Sequence, residues 1–113
     1  MIAQNIPLSS KKCAPCEGGV QPFGAAQIND YLAQLKTEWE VVALRAIKKQ
    51  FKFKNFREAI AFVNKVADIA ESEGHHPDIT INYNRVAVEL TTHSIGGLSE
   101  NDFILASKIE LLV

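Results

Sequence analysis

The spacing of apolar positions changes several times along this chain, and each change marks an element. Ile28, Tyr31, Leu32 and Leu35 recur at i, i+3, i+4 and i+7, the spacing of one helical face. From Trp39 to Phe53 the pattern is strand-like, with a turn or irregularity near Ala43. Its last part alternates, Phe51 and Phe53 against Gln50, Lys52 and Lys54. Asn55 then offers an N-cap, with Glu58 three residues on. Phe56, Ala59, Ile60, Val63, Val66, Ala67 and Ala70 carry a helical period to about Ser72, and Phe62 and Ile69 broaden that face. Gly74 suits the position just past a helix, and Pro77 forbids continuation. Ile79, Ile81 and Tyr83 alternate with Thr80 and Asn82, and Val86, Val88 and Leu90 alternate with Ala87, Glu89 and Thr91, so a hairpin turning at Asn84-Arg85 is expected. Thr92 to Leu98 reads as a loop. Ser99, with Asp102 three residues later, opens a last helix whose inward face is Leu105, Ala106, Ile109 and Leu112.

The order helix, two strands, helix, two strands, helix predicts an α+β fold: a four-stranded antiparallel sheet with three helices packed on one face, α-β-β-α-β-β-α. Residues 25–113 make that domain. Residues 1–24, with Pro7, Pro15, Pro22 and the Gly18-Gly19 pair, read as an N-terminal arm rather than a packed element. A sheet covered on one side leaves its other face and its edges free, so a self-associated oligomer is expected.

Composition narrows the function classes. A chain of 113 residues is one domain, large enough to bury roughly two thirds of its unfolded surface. A formal net charge of −1 gives no field favouring direct nucleic-acid or anionic-membrane binding. No apolar run is long enough to cross a membrane, and the first residues lack the pattern of a secretory signal or transit peptide, so a cytoplasmic protein is expected. The two cysteines form Cys13-Ala14-Pro15-Cys16. That spacing suits half a zinc site or a redox pair, but no second such pair exists, and two plain thiols on the arm are the simpler reading.

All three histidines, His75, His76 and His93, fall within nineteen positions. Imidazole titrates near neutrality and is the usual carrier of protons in catalysis. The antiparallel hairpin leads from His75-His76-Pro77 into its first strand and returns to Thr91-Thr92-His93, which brings the three imidazoles to one end of the sheet. Glu71 and Glu73 stand at a helix C-terminus, where the macrodipole disfavours an exposed carboxylate by a few tenths of a kcal/mol, roughly. Something beyond helix stability is expected to hold at least one of them.

The pattern Glu71-x3-His75-His76-Pro77-x5-Tyr83-x9-His93-x8-Asp102 resembles the signature of the pterin-4a-carbinolamine dehydratases. The likeness runs from about Ile28 to the C-terminus. It includes Trp39, the Phe51–Phe56 segment, Thr91-Thr92-His93 and Gly97-Leu98-Ser99-Glu100. In animals that family doubles as a dimerisation cofactor of a homeodomain transcription factor.

The resemblance implies removal of water from 4a-hydroxytetrahydrobiopterin, or a related 4a-hydroxytetrahydropterin, to give the quinonoid dihydropterin in tetrahydrobiopterin recycling. One proton leaves N5 and another reaches the departing hydroxyl, a task for a general acid and base without metal or other cofactor. It further implies His75 and His93 as proton carriers, His76 as holder of the pterin, and Glu71 as a group orienting an imidazole. Asp102 would do the same near His93 or serve only as a cap. The ring edge would be read near His76, Pro77 and Asp78, with Thr91, Thr92 and Trp39 beside it; a core role for Trp39 is the alternative. A homodimer or homotetramer is implied, and a transcription factor or a hydroxylase is the further partner the family allows. A pure binding module and a zinc protein using Cys13, Cys16 and histidines are the competing readings.

Overall fold

The computed structural model describes residues 6–14 and 20–113; Pro15, Cys16 and the Gly18-Gly19 pair lie outside the described residues. Strands β1 (Glu40–Val42), β2 (Ala46–Lys52), β3 (Asp78–Asn82) and β4 (Arg85–Leu90) form one antiparallel sheet in the order β1-β2-β4-β3. Helices α1 (Ala25–Leu32), α2 (Phe56–Glu73) and α3 (Glu100–Glu110) pack on one face of it. The expected α+β architecture is therefore present. Alternation decides which side faces the helices: Ile47, Phe51, Val86, Val88 and Leu90 point inward and are buried, while Lys48, Gln50 and Lys52 face solvent.

Helix α2 forms where its caps dictate. The Asn55 side chain accepts the Glu58 N–H at 2.9 Å, and Ala59, Phe62, Val66 and Ala70 make the buried stripe. The helix ends at Gly74 in the left-handed region (φ 68°), and the amides of both Gly74 and His75 close on the Ala70 carbonyl. That closure fixes where His75 leaves the helix. Phe56, expected on the inner face, is half exposed at the first turn.

Sheet register then sets the rest of the site. Asp78 pairs with Glu89 in the β3–β4 ladder, so the chain entering β3 from His75–Pro77 lies beside the chain leaving β4 through Thr91–His93. The loop after β4 is closed by a bridge between Thr92 and Gly97, the Thr92 N–H donating to the Gly97 carbonyl at 2.8 Å. Gly97 lies against Pro22, where a Cβ would meet the proline ring at 2.6 Å, so any side chain there would force the two segments apart.

Three local expectations are corrected. Helix α1 stops at Leu32, and Leu35 reaches the core from a turn, because Glu110 captures the Lys36 and Thr37 amides and draws the chain away. The β3–β4 turn is Tyr83-Asn84, one residue earlier than expected, with Tyr83 itself at φ 51°. The described part of the arm, though half exposed, contributes a packed residue. Leu8, in a short 3₁₀ turn (Leu8–Ser10), is buried against α3, which is consequently enclosed on nearly every side.

Candidate active site

A cleft of about 490 Å³ opens where the end of α2, the exit of β4 and the start of α3 meet, and His75, His76 and His93 all line it. Thr91 and Thr92 line it too. A slightly larger hollow, about 540 Å³, lies between the arm and the ends of α1 and α3 but carries no imidazole. The imidazoles are thus gathered in the first.

His75 is the most constrained of the three. Its Nε2 lies 2.6 Å from Asp102 Oδ1, the imidazole being largely covered and the carboxylate wholly buried. Asp102 Oδ2 accepts two further bonds, from the Thr92 hydroxyl at 2.8 Å and from the Ser99 N–H at 3.0 Å. Ser99 Oγ lies 2.8 Å from Thr92 Oγ1, and since the threonine proton goes to Asp102, the serine hydroxyl donates. A carboxylate can only accept, so the shared proton sits on His75 Nε2 and a neutral ring keeps Nδ1 as its basic nitrogen.

Asp102 thus performs both roles that stood as alternatives in the sequence. It caps α3 by accepting from Ser99, and with its other oxygen it holds an imidazole. The expected partner is corrected: Asp102 holds His75 and not His93. Docking of the α3 N-terminus against the end of α2 brings this pair together across 27 residues.

His76 and Glu71 form a second pair on the exposed rim, Nε2 to Oε2 at 2.6 Å. His93 opens a 3₁₀ turn (His93–Ile95) and is exposed; among the described residues no side-chain hydrogen bond engages its imidazole. Pro77 turns the chain into β3, and Asp78 begins that strand facing solvent; neither lines the cleft. Thr91 Oγ1 donates to the Arg45 carbonyl at 2.5 Å, tying the cleft to the β1–β2 turn, where Ala43 and Leu44 have positive φ. Trp39 stands apart from the cleft. It is buried against Phe51, and its indole N–H donates to Glu110 at 3.0 Å.

Ala14 and Asn101, which sequence reasoning missed, line the cleft together with Cys13 and Glu73, so the described part of the arm reaches the site. Glu73 accepts the Cys13 N–H at 2.8 Å, and this bond, with Lys108 3.5 Å away adding to it, holds its carboxyl below the ordinary range. This contact offsets the unfavourable place of Glu73 at a helix end. Burial beside Glu73 pushes the Cys13 thiol up to about 12, so it is a poor nucleophile. Among the described residues no three His, Cys, Asp or Glu side chains converge on a metal site, and Cys16 lies outside them.

The family profile for pterin 4 alpha carbinolamine dehydratase matches residues 21–112. A protein of Rickettsia canadensis (strain McKiel) that carries the pterin-4-alpha-carbinolamine dehydratase name is 53% identical over 103 residues, 91% of this chain and 94% of its own. One of Alkaliphilus metalliredigens (strain QYMF) with the same name is 44% identical, covering 91% of this chain and 93% of its own. The crystal structure of a transcriptional coactivator/pterin dehydratase from Brucella melitensis superposes with a TM-score of 0.75 at 38% identity, over 81% of this chain and 98% of that one. A pterin dehydratase-like RuBisCO assembly factor of the alpha-carboxysome shares the fold, with a TM-score of 0.59 at 23% identity over 68% of this chain and 90% of its own. By sequence and by fold, the chain belongs to the pterin-4-alpha-carbinolamine dehydratase family.

Proposed function

We propose that this chain is a cytoplasmic hydro-lyase that dehydrates 4a-hydroxytetrahydrobiopterin, or a related 4a-hydroxytetrahydropterin, to the quinonoid dihydropterin in pterin recycling, with residues 25–113 as the catalytic unit. The observation that carries the reading is the buried Asp102–His75 pair facing the same cleft as His93. The reaction breaks the C4a–O bond, takes the N5 proton and delivers a proton to the departing hydroxyl, so it is redox-neutral and needs an acid and a base. Each such positioned group contributes about 10²–10⁴-fold.

In this reading His75 and His93 share the proton transfers, and Asp102 supports His75 by fixing its ring. His76, steadied by Glu71, holds the pterin on the rim, and its backbone reads the donor–acceptor edge. Trp39 takes the core role. Oligomerisation to a homodimer or homotetramer belongs to the same proposal: β3 is a sheet edge, and Ile81, Tyr83 and Phe56 are exposed near its end.

The test is a dehydration assay on purified chain treated with chelator, with no cofactor added. Turnover is expected to persist. Activity that vanished on chelation and returned with zinc overturns the proton-only mechanism in favour of a zinc protein.

A further inference from the structure

We propose that Cys13 and Ala14 are a built wall of the histidine cleft, clasped by Asn101 and Glu73, and that this clasp governs how tightly the pterin is retained. The inference rests on the dehydratase reading for the identity of the occupant, not for the clasp itself. The Asn101 carboxamide grips one residue twice: Ala14 N–H donates to Oδ1 at 2.9 Å, and Nδ2 donates to the Ala14 carbonyl at 2.5 Å. Such a pairing mimics a rung of a β-ladder, with an amide side chain in place of a strand. Next to it, the Cys13 N–H is held by Glu73, and the Cys13 thiol lies 3.6 Å from the Asn101 carbonyl oxygen. Further out, Lys11 pairs with Glu100 at 2.7 Å, and Lys108 donates to the Ser9 carbonyl at 3.0 Å.

These anchors are not scattered. Glu73 lies two residues before His75, and Asn101 is the residue before Asp102. The two chain ends that bring His75 and Asp102 together therefore also hold the wall. An arm with no role at the cleft could leave its peptide groups to water. Here the amide of Cys13 and both polar groups of Ala14 are taken up by side chains, and both residues line the cleft together with Thr91, Thr92 and His93. Releasing the wall opens one side of the cleft to solvent and removes contact area from a flat ring, while leaving the His75–Asp102 bond untouched. The predicted signature is a loss of binding with little change in chemistry.

The test uses the full chain. Asn101→Ala and Glu73→Ala are each expected to raise KM for the 4a-hydroxytetrahydropterin about 3–10-fold with kcat within about twofold. Glu73→Gln keeps an acceptor for the Cys13 amide and should stay near wild type. A second readout is thiol labelling in a Cys16→Ser background. Cys13 should react slowly with a maleimide in the parent, faster after Asn101→Ala, and more slowly again when biopterin, which has no 4a-hydroxyl to lose, fills the cleft of the parent. Unchanged KM in folded Asn101→Ala and Glu73→Ala overturns the proposal, as does a fall in kcat at constant KM, which would mean that Asn101 acts through Asp102. If Asn101→Ala fails to fold, Glu73→Ala decides by KM alone. A wild-type chain that dehydrates no 4a-hydroxypterin sinks the dehydratase reading and the pterin as occupant, and the Cys13 labelling rates still decide the clasp.

Discussion

Asp102 Oδ1 lies 2.6 Å from His75 Nε2, and the carboxylate that makes this contact is fully buried and bonded to Thr92 and Ser99 through its other oxygen. Three elements are locked by one side chain: the chain just past α2, the exit of β4 and the first turn of α3. Orientation of the imidazole and cohesion of the site are thus the same interaction.

Asp102→Asn separates charge from shape. The amide can donate to His75 and push its proton to the other ring nitrogen, so kcat should fall by about 10²-fold or more while the fold survives. Asp102→Ala should also lower stability, by about 1–3 kcal/mol for each buried donor left without an acceptor. Steady-state kinetics beside denaturant melts check both. Near-normal kcat in folded Asp102→Asn would reduce Asp102 to a helix cap.

Cys13→Ser with Cys16→Ser should leave turnover and melting temperature unchanged in reducing buffer. The reason is the backbone: it is the Cys13 amide that Glu73 holds, and serine supplies the same amide. Loss of activity in the double variant would assign chemistry to a thiol.

Acid should weaken the docking of the arm. Glu73 is held below its ordinary value chiefly by the Cys13 N–H, with Lys108 adding to it. A carboxyl with a lowered folded pKa stabilises the fold above its unfolded value and loses that contribution as pH falls through the lowered one. The stability difference between wild type and Glu73→Gln should therefore shrink in melts taken from about pH 7 down to about pH 3. A difference that held constant to the acid end would mean that the Glu73 charge does not contribute.

How much of this could be read from the chain depends on range. Helix α2 was legible from end to end because Asn55, Gly74 and Pro77 are local signals, and the hairpin register that returns Thr91–His93 beside His75–Pro77 follows from alternation alone. The turn was misplaced because Asn84 tolerates positive φ better than Tyr83, yet the Asn82–Arg85 pairing forces it onto the tyrosine. Leu8 left no trace, since one apolar residue among prolines has no period, although it closes the core over α3. The choice of His75 over His93 as the partner of Asp102 was equally hidden, because it is settled by helix docking rather than by spacing. Glu73 did leave a signal, a carboxylate at the wrong end of a helix, whereas nothing local marks Asn101 as a clamp.

The most direct test of the account is the kinetics of His75→Ala, His93→Ala and their double variant on 4a-hydroxytetrahydrobiopterin, with His76→Ala alongside and thermal melts on all four. His76 and His93 are exposed and none of the three belongs to the buried core, so each variant should stay folded. If His75 and His93 share one proton relay, each single change lowers kcat by about 10²-fold or more, and the double variant falls well short of the product of the two losses. His76→Ala should instead raise KM more than it lowers kcat. Near-normal turnover in a well-folded double variant would contradict histidine catalysis and leave a binding module on the dehydratase fold as the better description.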